Sequence, residues 1–250
     1  MMRAGERRAL GLAAGMLAAA LIAALLVVAG GASSSALPGP VPATEAKAPA
    51  LFTPDQGRLR ILVGGQQVGK EEFQISASGG NWVARGNSEI QAPEGVTHVS
   101  GTLELHADGS PVRYEWATQG AKKASATIAF NGPTASIELH LEGARPYTQQ
   151  FTFNSSRVAI LDNNLYHQYA LLARLYDWDK KGAQTIAVLV PQDMTPGTVT
   201  VESVGSQDFN GKKVEELRVR TEDLEIHLFL DGPRLVRLVA PSSNVEIVRE

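Results

Sequence analysis

Five histidines, at positions 98, 106, 140, 167 and 227, are the side chains of widest chemical reach in this sequence. Three of them close the same phrase: Glu104-Leu105-His106, Glu138-Leu139-His140 and Glu225-Ile226-His227. Residues two apart in a strand point to the same side, so each phrase presents a carboxylate and an imidazole together, a donor set that suits zinc. On neighbouring strands the three phrases would form one centre. On separate strands they are the charged pairs with which sheets decorate a solvated face, and no metal ligand is assigned. His167 lies five residues after Asp162 and ten before Asp177, spacings that put the three on no common helix face for acid–base work. Glu71-Glu72 and Glu215-Glu216 are adjacent and face opposite ways in a strand, which defeats a carboxylate pair. Gly205-Ser206-Gln207 lacks the strand-to-helix elbow of a serine hydrolase, and Gly64 to Lys70 lacks the spacing of a phosphate-binding loop. No catalytic residue and no cofactor are assigned, and a non-enzyme is expected.

Aromatic side chains offer a different chemistry. Tyr and Trp join an apolar body to a polar tip, which suits an amphipathic ligand. The candidate ligand-binding set is Trp82, Trp116, Leu165, Tyr169, Leu172 and Tyr176; the competing expectation is that these residues complete a core.

These residues need elements to hold them. From Arg58 to Arg249 the dominant signal is alternation, as in Ile137, Leu139 and Leu141 against Glu138, His140 and Glu142. Asp108-Gly109, Asn131-Gly132, Asn210-Gly211 and Asp231-Gly232 mark tight reversals between such runs. Together they predict a mainly β chain, an antiparallel meander of about ten to twelve strands. Leu165, Tyr169, Leu172 and Tyr176 recur at helical spacing, with Asp162 as the expected N-cap. One helix set between two runs of strands is expected to pack on the concave face of the sheet, which otherwise leaves apolar side chains in water. The Glu-x-His phrases run into similar turns before and after that helix, which suggests a quasi-duplicated sheet.

Arg3, Arg7 and Arg8 precede a run from Ala9 to Ala32 without a charged residue, so residues 1–32 read as an N-terminal hydrophobic helix. It is either a signal peptide, with cleavage after Ala32 or Ala36, or a retained membrane anchor. Residues 33–56 read as an Ala/Pro/Ser-rich linker and residues 57–250 as the β half-barrel domain. The expected location is outside the cytoplasm, in the periplasm or anchored to the inner membrane, with membrane contact only through the N-terminal segment. Across 250 residues there is no cysteine, which excludes disulfides, thiolate metal sites and a cysteine nucleophile. A formal charge of −3 leaves no basic excess for nucleic acid.

The strand–Gly turn–strand opening from Arg60 to Ile75 resembles one common among exported bacterial proteins of unknown function. The hairpins Asp108-Gly109-Ser110-Pro111-Val112-Arg113-Tyr114 and Leu228 to Val236 resemble the same group. This resemblance implies a strongly curved antiparallel half-barrel with helix on its concave side, the general architecture of the lipoprotein carriers LolA and LolB. It carries over none of the carriers' functional residues, because no motif here matches them. The partner expected from fold and aromatics is an apolar or amphipathic one (lipid, lipoprotein or envelope component) held in the concave sheet. The alternative is an envelope scaffold with a filled core that acts through protein contacts, its strand edges recruiting another protein.

Overall fold

The computed structural model describes residues 51–250, apart from positions 94 and 122. The expected N-terminal helix and most of the expected linker lie outside the described residues. The packed body begins before position 57: Phe52 is buried against Trp82, ring centroids 5.8 Å apart, and the first strand starts at Asp55.

The first half of the chain is a meander of β1 (Asp55–Val63), β2 (Gln66–Ser78), β3 (Asn81–Ala92), β4 (Gly95–Leu105), β5 (Pro111–Gln119), β6 (Ala124–Asn131), β7 (Thr134–Leu141) and β8 (Tyr147–Thr152). A crossing segment follows, holding the short β9 (Val158–Ile160) and the helix α1 (Gln168–Leu175). The second meander is β10 (Gln184–Val190), β11 (Thr195–Phe209), β12 (Lys212–Arg220), β13 (Glu225–Asp231), β14 (Arg234–Ala240) and β15 (Val245–Arg249). All fifteen strands belong to one open sheet in the order 8-7-6-5-4-3-2-1-15-14-13-12-11-10-9. The two meanders join in the middle, where β15 pairs antiparallel with β1 (Leu59 opposite Arg249, Val63 opposite Val245). Pairing is antiparallel throughout except between β9 and β10.

Alternation and turn chemistry account for most of these elements. The Asn210-Gly211 reversal has positive φ at both residues (51° and 75°), the conformation for which this dipeptide is chosen in tight hairpins. Bulges in β1–β2, β4–β5, β11–β12 and β13–β14 bend the strands and sharpen the curl of the sheet. The strand count exceeds the expected ten to twelve for identifiable reasons. β9 is buried along its whole length and reads as a short apolar run without alternation, and β14 and β15 are separated only by a 3-10 turn at Pro241–Ser243.

The helix is on the concave face, as expected, but it differs in extent and exposure. It starts at Gln168 rather than after Asp162: the Asp162 side chain accepts from the Asn164 N–H in a turn that precedes the helix, and its other bonds are tertiary. It is buried on every side from Gln168 to Ala173, since strands of both meanders close around it. Tyr169 faces Val190, Val199 and Val219 of the second meander, whereas Leu171 and Leu172 face Phe52, Leu103 and Leu105 of the first.

Candidate functional site

On β2 the inward positions are Gly69, Glu71, Phe73 and Ile75, so one carboxylate falls on an apolar face. Opposite its neighbour Phe73 stands Gly86 on β3, which is directly paired with Gly101 on β4. A Cβ at Gly86 would lie 2.5 Å from Cε1 and 2.7 Å from Nδ1 of His167; one at Gly101 would lie 2.5 Å from Leu165 Cδ1 and 2.8 Å from the Tyr114 hydroxyl. The glycine pair thus makes a flat seat on which residues 165–167 meet the sheet backbone. Glu71 fastens them there. Its carboxylate accepts from the backbone N–H of Tyr166 (2.7 Å) and of His167 (3.3 Å), and His167 Nδ1 lies 2.5 Å from Oε1. The imidazole also stacks on Phe73, centroids 5.6 Å apart and planes 7° from parallel.

A second polar knot sits beside the first. Tyr114 donates its hydroxyl to Asp162 Oδ2 at 2.6 Å, and Gln192 Nε2 donates to the same oxygen. The Asn164 N–H donates to Asp162 Oδ1 at 3.0 Å, and the Asp162 N–H donates to Gln168 Oε1 at 2.6 Å. Burial raises the Asp162 carboxyl above the usual carboxylate range, outweighing the donors that favour its charged form. Burial also raises the Tyr114 phenol well above its ordinary value, and the Asp162 carboxylate next to it pushes the same way.

Chemically, a carboxylate that orients an imidazole is a familiar base-activating pair. Here Nε2 of His167 is sealed in the core, with no hydrogen-bond partner among the described residues. The pair has no route to a substrate, and its three contacts with residues 166 and 167 serve to hold the crossing segment. His167 meets Glu71 of a distant strand, a partner of which its spacing from Asp162 and Asp177 gives no sign.

The six residues expected to line a ligand groove, Trp82, Trp116, Leu165, Tyr169, Leu172 and Tyr176, are all buried in the core. Two cavities flank the helix, each of about 10 Å³. One water-sized probe fills such a space, whereas a ligand site needs roughly 300 Å³ or more. In this structure they complete the core instead of lining an open groove, because the helix that was to be one wall is enclosed by both meanders.

The Glu-x-His phrases fall on β4, β7 and β13, which are not neighbours. His140 pairs with Glu138 at 3.0 Å, and His227 pairs with Glu216 at 2.7 Å and Glu225 at 2.9 Å. Among the described residues no group of His, Asp or Glu is arranged to hold a metal. Two of the phrases close strands that enter reverse turns (β4 and β7), and the third opens β13.

An open groove and the two most exposed large apolar side chains lie at the β8 end of the sheet; Val96, Trp178 and Val204 are exposed elsewhere. A groove of about 480 Å³, open to solvent, runs along the rim of β5–β7, lined by Thr118, Lys123, Ala124, His140, Leu141 and Glu142. Leu141 (48% exposed) and Tyr147 (51%) flank that rim. Beyond it β8 is an outer strand of the sheet, paired only with β7. The Phe153 N–H donates to the Pro133 carbonyl, so by the two-residue period Phe151, Gln149 and Tyr147 also direct their backbone groups at β7. Thr148, Gln150 and Thr152 direct theirs outward. The strand Tyr147-Thr148-Gln149-Gln150-Phe151-Thr152 carries no charge, proline or bulge, the usual guards of an edge. The other outer strand, β9, is buried.

Glu71 was legible as a carboxylate on the inward phase of β2, in step with Phe73 and Ile75. Neither the glycine seat nor the free edge leaves such a mark, since each depends on which strands become neighbours. No family model matches this chain, and no curated protein matches it. Among solved structures it is similar to the β-barrel-like protein of domain of unknown function DUF1849 from Brucella abortus, with a TM-score of 0.55, 9% identity, and coverage of 81% of this chain and 97% of that one. At that identity the likeness is one of fold.

Proposed function

We propose that this domain is an exported, non-enzymatic binding scaffold that takes up an extended segment of a protein partner along the edge of β8. The observation that carries the reading is the unguarded edge itself: an uncharged strand with outward backbone donors and acceptors, beside an open groove and two exposed apolar side chains. Strand addition at such an edge draws affinity from main-chain hydrogen bonds and selectivity from the flanking side chains. The filled core supports the scaffold over the carrier, since acyl or aromatic groups need a cavity that the helix here occupies. Export rests on the basic and then apolar character of residues 1–32; among the described residues no helix is long and apolar enough to cross a membrane.

The test is a photo-crosslinking residue placed at position 150 of the full chain in bacterial cells, with the exposed position 213 on β12, far from that edge, as control. Protein adducts are expected at 150 and not at 213. Adducts to lipid alone, or equal labelling at both positions, would overturn the reading.

A second reading, uptake of lipid or lipoprotein in the concave sheet, requires the crossing segment to leave. Its support is that the segment is pinned through polar knots, with the Trp116 indole nitrogen beside it lacking a hydrogen-bond partner among the described residues. Lipid recovered by organic extraction of the purified full chain, and lost on Leu172→Asp with the fold intact, is its expected signature.

A further inference from the structure

We infer that the occupant of the β8 edge is β8 of a second copy of this chain, paired antiparallel about a twofold axis through Gln149. This rests on the edge reading above and names its partner. In antiparallel pairing, residues directly opposite share a face, so a self-pair keeps the concave face continuous only when the axis passes through a residue and not between two. An axis at Gln149 sets Tyr147 against Phe151 twice on the concave face, an aromatic pair that sheets favour. It sets Thr148 against Gln150 twice on the outer face, and these are residues whose backbone groups point away from β7. An axis at Gln150 would instead oppose Gln149 to Phe151 and forfeit both aromatic pairs.

Charge favours the same occupant. The paired strands contribute no charged residue. The nearest like charges opposite them, Glu138 of each copy, stand on the two β7 strands, three strand spacings or about 14 Å apart. That exceeds the screening length of about 8 Å at physiological salt, so repulsion between them is weak. A six-residue strand with Leu141 beside it is small against the roughly 1,600 Å² of a standard stable interface. The dimer is therefore reversible and concentration-dependent.

The chain has no cysteine, so a single introduced thiol reports without background. At a non-hydrogen-bonded antiparallel pair the two Cα atoms are about 4.5 Å apart, within the span a disulfide bridges. The full chain carrying Gln149→Cys is expected to give a covalent dimer on mild oxidation in cells. Gln150→Cys, which faces the other side and lies opposite Thr148, is expected to give several-fold less, and Lys213→Cys none. Adding Gln150→Pro to Gln149→Cys removes an outward N–H without touching the β7 ladder, and is expected to abolish the dimer while melting remains cooperative. No dimer from Gln149→Cys, or equal dimer from all three positions, overturns the inference. If that failure comes with adducts between position 150 and a different protein, the edge reading stands and only the second copy is wrong. If position 150 also gives no protein adduct, both fall.

Discussion

Asp162 concentrates the electrostatics of the core in one side chain. Three donors converge on its carboxylate, yet burial dominates and raises its pKa above the unfolded value. A raised carboxyl binds its proton more tightly in the folded state. Its stabilising contribution is therefore whole below the unfolded carboxylate range and declines as pH rises through the folded pKa. Asp162→Asn cannot titrate. By urea unfolding, the stability of the wild type relative to this variant is expected to fall as pH is raised above the unfolded carboxylate value of about 4. A constant difference across that window would mean that the carboxyl titrates alike in both states. The comparison reads a slope, so a general loss of packing in the variant does not obscure it.

At the scale of elements, the crossing segment and its seat act as one fitted part. The imidazole over Gly86 cannot move aside, because Glu71 holds it on one flank and Phe73 covers its face. A Cβ there meets a fixed ring and not the free end of a flexible chain. Gly86→Ala is expected to cost about 1–3 kcal/mol, as overpacking does elsewhere. In a domain of this size that is a Tm lower by several degrees. A variant that melts with the wild type would show that the segment is seated loosely. The contrast between the two outer strands belongs to this scale too. β9 is covered by the core it helps to fill, whereas β8 lies bare, so growth of the sheet is open at one side only.

The whole molecule is organised around an unusual junction. Both outer strands come from the interior of the chain, and its described ends meet at the centre of the sheet through β1 and β15. Asp55 and Arg249 close that junction with two bonds, of 2.7 and 2.9 Å. Removal of residues 245–250 would leave the two meanders joined through the crossing segment alone and expose the inner edges of β1 and β14. The shortened chain is expected to lose its cooperative thermal transition and become sensitive to protease. Retention of both properties would mean that each meander is stable alone.

Taken by itself, the amino-acid sequence determined the strands, most of the turns and the position of the helix. These rest on periods of two or 3.6 residues and on residues that tolerate positive φ, all local properties of the backbone. It also separated Glu71 from Glu72, one buried and one exposed, because alternation assigns faces. Alternation does not assign neighbours. Whether β4, β7 and β13 touch, whether Glu71 meets His167, and whether the concave face is open or filled are set by pairings between distant segments. Those pairings follow from closing the sheet around the helix. The tertiary structure alone decided that the three histidine phrases stay apart, that the aromatic set completes a core, and that β8 is the edge left free. The physical reason is that a side chain's phase is written in its own strand, while its company depends on the strand that folds against it.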